Sequence, residues 1–182
     1  MKAVVFDLDG TLLDTLEDIR ASINYARLAF EGEPISLEDT KRYVGNGLRK
    51  ALVKSIVEHG PRLESEDEVD LMFQLLIQYY KNHPTVYVKP YPGILSLLDS
   101  LKKEGYKLAI LSNKADSIVQ EIVQKCFKKG LFDIAQGQRP ELPLKPDPRA
   151  VLDMNKAMGV DRSDVFISET ARWTIRQHIM LV

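Results

Sequence analysis

With 182 residues, the chain has room for one compact domain with a smaller insert, or for two small domains. A net charge of −1, with 45% hydrophobic and 28% charged residues, is ordinary for a globular protein and provides no basic field for nucleic acid or an anionic membrane. The single cysteine, Cys126, excludes an internal disulfide, and no apolar run approaches the roughly 20 residues that span a bilayer.

The first element is an apolar run, Val4-Val5-Phe6, that ends in Asp7-Leu8-Asp9-Gly10-Thr11-Leu12. Asp7 and Asp9 break the stretch that follows Lys2, so it does not read as a signal peptide, and the cytoplasm is the expected location. Residues 3–8 read as a buried strand. A strand sends residues i and i+2 to the same side, so Asp7 and Asp9 project together from its C-terminal end. In open α/β sheets that end is where ligands bind. Two carboxylates this close repel each other, and a divalent metal or a shared proton relieves the repulsion.

From 15 to 84 the period is helical. Leu16, Ile19, Ile23, Ala26 and Leu28 fall near one face. Ser36-Leu37-Glu38-Asp39 has the form of a helix N-terminus, Gly45-Asn46-Gly47 interrupts, and two further helices follow through Leu52 and Ile56 and through Met72, Leu75 and Leu76. Pro84, Pro90 and Pro92-Gly93 then punctuate the chain. Beyond them the pattern alternates: a helix over 94–105, a short strand over 107–111, a helix over 117–127, a strand over 132–135, a helix over 146–158 and a strand over 165–167. Such alternation predicts a parallel sheet with right-handed crossovers. The expected fold is α/β, a Rossmann-like parallel-sheet core with an α-helical domain inserted after the first strand. The core covers 1–14 and 88–182, and the insert 15–87.

Three motifs, in order, carry a resemblance. Asp7-Leu8-Asp9-Gly10-Thr11-Leu12, Leu111-Ser112-Asn113-Lys114 and Lys145-Pro146-Asp147-Pro148 resemble the first three motifs of the haloacid dehalogenase superfamily. The helical insert resembles its α-helical cap. Tyr43-Val44-Gly45-Asn46-Gly47-Leu48 and Tyr91-Pro92-Gly93 are similar to segments of phosphoglycolate phosphatases. The resemblance implies hydrolysis of a phosphate monoester through an aspartyl-phosphate, with Asp7 as nucleophile and Asp9 as general acid and then base. It implies that Gly10 turns the backbone away at the strand end, and that Thr11 orients Asp9. Ser112 would donate to a phosphoryl oxygen, and Asn113 would join the same anion pocket. Lys145 would neutralise the phosphoryl group and Asp7. Gly45, Asn46, Gly47 and Arg49 would hold a small carboxylate such as that of glycolate. The expected cofactor is Mg2+, held by Asp7, Asp9 and a residue of a fourth motif. The expected partner is a small phosphorylated metabolite, 2-phosphoglycolate first, acting on a monomer or homodimer. A sugar-phosphate phosphatase or phosphomutase is the alternative within the superfamily, and a non-enzymatic remnant the alternative outside catalysis.

The remnant enters because the fourth motif departs from its Gly-Asp form. After Val165-Phe166-Ile167 the chain reads Ser168-Glu169-Thr170-Ala171-Arg172-Trp173. Glu169 is the remaining candidate metal ligand, with one methylene more than Asp. Codons for Ser168 to Thr174 can be chosen that, read two bases on, encode Gly-Asp-Ser-Ala-Val-Asp. The expectation is that a change of frame replaced the motif and shortened the core.

Overall fold

The computed structural model describes residues 1–45, 47–142 and 144–169. By internal contacts the chain divides into two units, Met1–Asp14 with Lys89–Val182, and Thr15–Val88.

The first unit is built on a parallel sheet of four strands among the described residues: β1 (Ala3–Phe6), β4 (Lys107–Ala115), β5 (Ile134–Gln138) and β6 (Val165–Ser168), ordered β5-β4-β1-β6. A small antiparallel pair, β2 (Leu13–Asp14) and β3 (Lys89–Pro90), joins the two ends of the unit. The helices α5 (Ile94–Lys103), α6 (Asp116–Cys126) and α7 (Arg149–Met158) complete it. One face of the sheet, Ala3, Val5, Ala109, Leu111 and Val165, packs with Ala150, Val151 and Met154 of α7. The alternate residues Val4, Phe6, Leu108 and Ile110 are buried as well. Burial of both faces explains why β1 and β4 are apolar runs and not alternating ones.

Register places the candidate chemistry. Phe6 lies beside Ile110 on one side and Ser168 on the other. The chain therefore leaves β1 at Asp7 next to the point where it leaves β6 at Glu169, and the Asp7 amide donates to the Ser168 carbonyl at 2.9 Å.

Two strands differ from expectation. β4 runs on through Ser112-Asn113-Lys114 to Ala115, with an irregularity against β5 between Leu111 and Ala115. Gly137 makes the close pairing possible: a Cβ there would meet the Asp116 Cα and the Lys114 carbonyl oxygen at 2.5 Å. β5 starts at Ile134, two residues later than the pattern indicates, because Phe132-Asp133 serves another purpose. The Asp133 carboxylate accepts from Lys102 Nζ (2.7 Å), Lys107 Nζ (2.9 Å) and the Leu108 amide (2.9 Å). Burial raises its pKa, but these three donors outweigh burial and hold it at about 2. A folded pKa below the unfolded value of about 3.9 stabilises the fold above that value, and the gain is lost as pH falls towards 2. Asp133→Asn should therefore cost about 1 kcal/mol at pH 7, discounted for partial exposure. Denaturant melts from pH 7 down to pH 2 should show the difference from wild type closing between pH 4 and 2.

The second unit is helical: α1 (Leu16–Leu28), α2 (Leu37–Tyr43), α3 (Leu48–His59) and α4 (Glu66–Asn82). Ile19, Ile23 and Ala26 of α1 and Met72, Leu76 and Tyr80 of α4 are buried at helical spacing, whereas Leu28, expected on the same face of α1, is the helix's last residue and is exposed. The Ser36 hydroxyl caps α2 by accepting from the Asp39 amide at 3.0 Å. Arg27 is fully buried, and its guanidinium donates to the carbonyls of Glu33, Ser55, His59 and Gly60. It ties the end of α1 to the turn after α3. The Asp18 carboxylate accepts from the Val86 and Tyr87 amides at 2.9 and 3.1 Å, which anchors the returning segment to α1.

Candidate active site

Asp7, the first residue past β1, turns its carboxylate back on the chain. Oδ1 accepts from the Leu8 amide at 2.8 Å and lies 2.9 Å from Lys145 Nζ. Burial raises the pKa of Asp7, the nearby Asp9 adds to the rise, and Lys145 opposes both. Gly10 has φ 77°, a left-handed conformation open to glycine, and its amide donates to the Leu13 carbonyl at 2.9 Å. The amides of Leu12 and Leu13 donate to the Leu8 carbonyl at 3.1 Å. Residues 8–13 thus form a tight closed turn that includes Thr11 and presents Asp9.

The extended end of β4 supplies the next group. Ser112 is buried, and its hydroxyl oxygen accepts from the Lys114 amide at 3.2 Å. A hydroxyl that accepts one bond still carries a proton to donate. Lys114, quoted in the motif but given no role from the sequence, places Nζ 2.6 Å from Asp9 Oδ1, with only 6% of its side chain exposed. A lysine so deeply covered beside a carboxylate is the signal that sequence reading missed.

The Asn113 carboxamide bonds to the backbone of Lys145. Its Oδ1 accepts from the Lys145 backbone amide at 2.7 Å, and its Nδ2 donates to the Lys145 carbonyl at 3.2 Å. Both ends of the side chain grip the backbone of one residue, 32 positions away.

Lys145 Nζ lies between two acids, 2.9 Å from Asp7 and 2.8 Å from Glu169 Oε1. Glu169 is thus at the site, but as an ion-pair partner of the lysine. Thr170 to Trp173, the rest of the altered motif, lie outside the described residues, as does Asn46.

Asp7, Asp9 and Glu169 bring three negative charges, and Lys114 and Lys145 two positive ones. The cluster's formal charge is −1 with every acid ionised and zero with a proton on Asp9, so in neither state does it attract a phosphate dianion. Hard carboxylate oxygens in excess over ammonium groups fit a small divalent cation in kind. Among the described residues no cluster of three or more His, Cys, Asp or Glu forms a ready cation cage.

The remaining candidates belong to the helical unit. Gly45 and Gly47 have φ 121° and 89°. Arg49 is already engaged: its Nη2 lies 2.5 Å from Asp70 and 3.4 Å from Glu66. That use of its charge was not foreseen in the expected carboxylate contact.

Comparison with known proteins shows the family. The family model of the haloacid dehalogenase-like hydrolases matches residues 4–169. The phosphoglycolate phosphatase of Aquifex aeolicus is 30% identical over 167 residues, 92% of this chain and 75% of that protein. Phosphoglycolate phosphatase 1 of Pseudomonas aeruginosa is 29% identical over 174 residues, and the match covers 93% of this chain but only 62% of the relative. A crystal structure from Lactobacillus delbrueckii subsp. bulgaricus superposes with a TM-score of 0.79 at 32% identity, over 92% of this chain and 78% of that one. Parallel sheet, helical insert, the order of the three motifs and the match over 4–169 all lead to one assignment: the chain belongs to the haloacid dehalogenase-like hydrolases.

Proposed function

We propose that this hydrolase cleaves a small phosphate monoester through an aspartyl-phosphate on Asp7, with 2-phosphoglycolate as the leading substrate. The observation that supports it most is the Lys145 ammonium 2.9 Å from Asp7 Oδ1. It opposes the rise in pKa that burial imposes on this half-buried carboxylate, favouring the ionised form that attacks phosphorus, and can screen that carboxylate from an incoming phosphate.

In the first step an Asp7 oxygen bonds to phosphorus as the ester P–O bond breaks, and Asp9 gives its proton to the leaving alkoxide. In the second, Asp9 takes a proton from water, the water oxygen bonds to phosphorus, and the bond to Asp7 breaks. Inorganic phosphate leaves and Asp7 is restored. One residue serves as acid and then base, by microscopic reversibility. Ser112 donates to a phosphoryl oxygen in both steps, and Lys145 offsets charge on the transferring group. Mg2+ is the proposed cofactor: Asp7, the backbone carbonyl of Asp9 and Glu169 would hold it, and it would supply the positive charge that the two lysines do not. The helical unit is proposed as the substrate-selecting cap, with the amides at Gly45 and Gly47 offered to the substrate carboxylate. The two relatives named above carry the phosphoglycolate phosphatase name, which favours that ester over sugar phosphates.

The Glu169–Lys145 ion pair favours a second reading. A carboxylate tied to an ammonium is a weaker metal ligand, and the chain would then be a non-catalytic remnant. Phosphate release from 2-phosphoglycolate, glucose 6-phosphate and p-nitrophenyl phosphate, with and without Mg2+, separates the readings. Mg2+-dependent turnover of 2-phosphoglycolate at least about tenfold above the other esters, in kcat/KM, is expected, a margin of about 1.4 kcal/mol. Preference for the sugar ester would move the assignment within the superfamily, and no turnover of any ester would leave the remnant.

A further inference from the structure

We infer that Asn113 is a positioning residue for Lys145, and that it touches no substrate. The inference rests on the proposed reaction. Lys145 sits in the loop between β5 and α7, and a lysine ammonium on four flexible methylenes is only as well placed as the backbone that carries it. Among its described residues, 139–142 and 144–148, that loop forms no strand after β5 ends at Gln138. What fixes the loop at Lys145 is a pair of hydrogen bonds from one side chain. The carboxamide of Asn113 accepts from the Lys145 N–H at 2.7 Å and donates to the Lys145 C=O at 3.2 Å. It imitates the exchange of two bonds that a neighbouring strand would make with a single residue.

The clamp starts from a rigid base. Asn113 lies in β4, the strand paired on both sides within the sheet, at the irregularity where its pairing with β5 shifts. Such irregularities re-aim side chains beside active sites. On either side of it, Ser112 and Lys114 address the site, with Ser112 buried and Lys114 on Asp9. Asn113 itself is exposed, and its two ends are both used by the lysine backbone. The Asn113 amide therefore does for Lys145 what strand pairing does for Asp7, whose own amide is bound to the Ser168 carbonyl. Asp would keep an acceptor for the Lys145 N–H but lose the donor. Ala would lose both.

The test joins kinetics to a direct view of the clamp. Steady-state hydrolysis of p-nitrophenyl phosphate with Mg2+ is measured for the wild-type chain, Asn113→Ala and Asn113→Asp. Exchange of the Lys145 backbone amide with solvent deuterium is followed by NMR on the same samples. In Asn113→Ala, kcat should fall about 10- to 100-fold, the loss expected when a catalytic group is misplaced by about an ångström. KM and the melting temperature should change little, and the Lys145 amide should lose its protection. Asn113→Asp should retain that protection and more of kcat than Ala does. A fall in kcat with the Lys145 amide still protected would mean that Asn113 acts on the substrate itself, and would overturn the inference. So would loss of protection with kcat unchanged, or a melting temperature that falls while kcat holds. A wild-type chain that hydrolyses no ester while its Lys145 amide is protected by Asn113 contradicts the catalytic reading and strips the clamp of its catalytic role, an outcome distinct from failure of the clamp.

Discussion

Asp7→Asn should abolish turnover, with kcat reduced by about 10^4-fold or more, while the protein stays folded. The proposed reaction forms its bond to phosphorus on this carboxylate, and an amide is not a nucleophile at neutral pH. Loss of a nucleophile elsewhere costs factors of this order. The stability arm of the result is less intuitive. Burial raises the pKa of Asp7, so the ionised group is held at a cost to the fold despite Lys145 beside it. The amide carries no charge to desolvate, and Lys145 keeps Glu169 at 2.8 Å. The variant should therefore melt at or above the wild-type temperature. Inactivity combined with a large drop in melting temperature would show that Asp7 serves the fold rather than the chemistry.

Lys145→Met should have the second-largest effect, and on both properties. Removing one preorganised charge from phosphoryl transfer is expected to cost about 10^2- to 10^3-fold in kcat, or about 3–4 kcal/mol of transition-state stabilisation. It also leaves Asp7 and Glu169 facing each other without the ammonium 2.9 and 2.8 Å away that now separates their charges. A buried charge stripped of its partner costs roughly 3–5 kcal/mol, less here because Asp7 and Glu169 are both partly open to solvent. Added Mg2+ should recover part of that stability if Asp7 and Glu169 share a cation, and the shift in melting temperature with Mg2+ measures it. Unchanged stability and activity would mean that the two short contacts of Lys145 are incidental.

The comparison of sequence with structure has a physical pattern. β1 was legible because an apolar run closed by Asp7 and Asp9 has no other economical reading in an α/β chain. The helical insert was legible from periodicity, and Ser36 from its capping position. The end of β4 was not. Ser112-Asn113-Lys114 is polar, and polar triplets after an apolar strand read as turns. They remain extended as two of the three polar side chains have distant partners: Lys114 on Asp9, and Asn113 on the backbone of Lys145. No local pattern encodes a partner 32 or 105 residues away. β5 slipped for a related reason, since Asp133 is consumed by Lys102, Lys107 and the Leu108 amide. α7 was expected from Pro146 and begins at Arg149, with Pro148 as the residue before its first turn. Arg27 shows the limit most clearly. An arginine in the last turn of a helix reads as a surface residue, yet this one is buried with four backbone carbonyls as acceptors.

The candidate site divides in the same way. Residue types and order identified Asp7, Asp9, Ser112, Lys145 and Glu169, and the structure brings these to the C-terminal ends of adjacent strands and the loop beyond. What the residues do for one another was not legible. Asn113 serves Lys145, Lys114 serves Asp9, and Arg49 is spent on Asp70 and Glu66. Each of these is a tertiary contact between elements that only the fold brings together.

One measurement bears on the whole account. Beryllium trifluoride imitates a phosphoryl group on an aspartate, and ^19F NMR of the full chain with BeF3− and Mg2+ reports whether it binds. Bound resonances that appear only with Mg2+ and vanish in Asp7→Asn are the expected result. A well-folded wild-type chain that gives no bound signal, or one whose signal survives the loss of the Asp7 carboxylate, would contradict it.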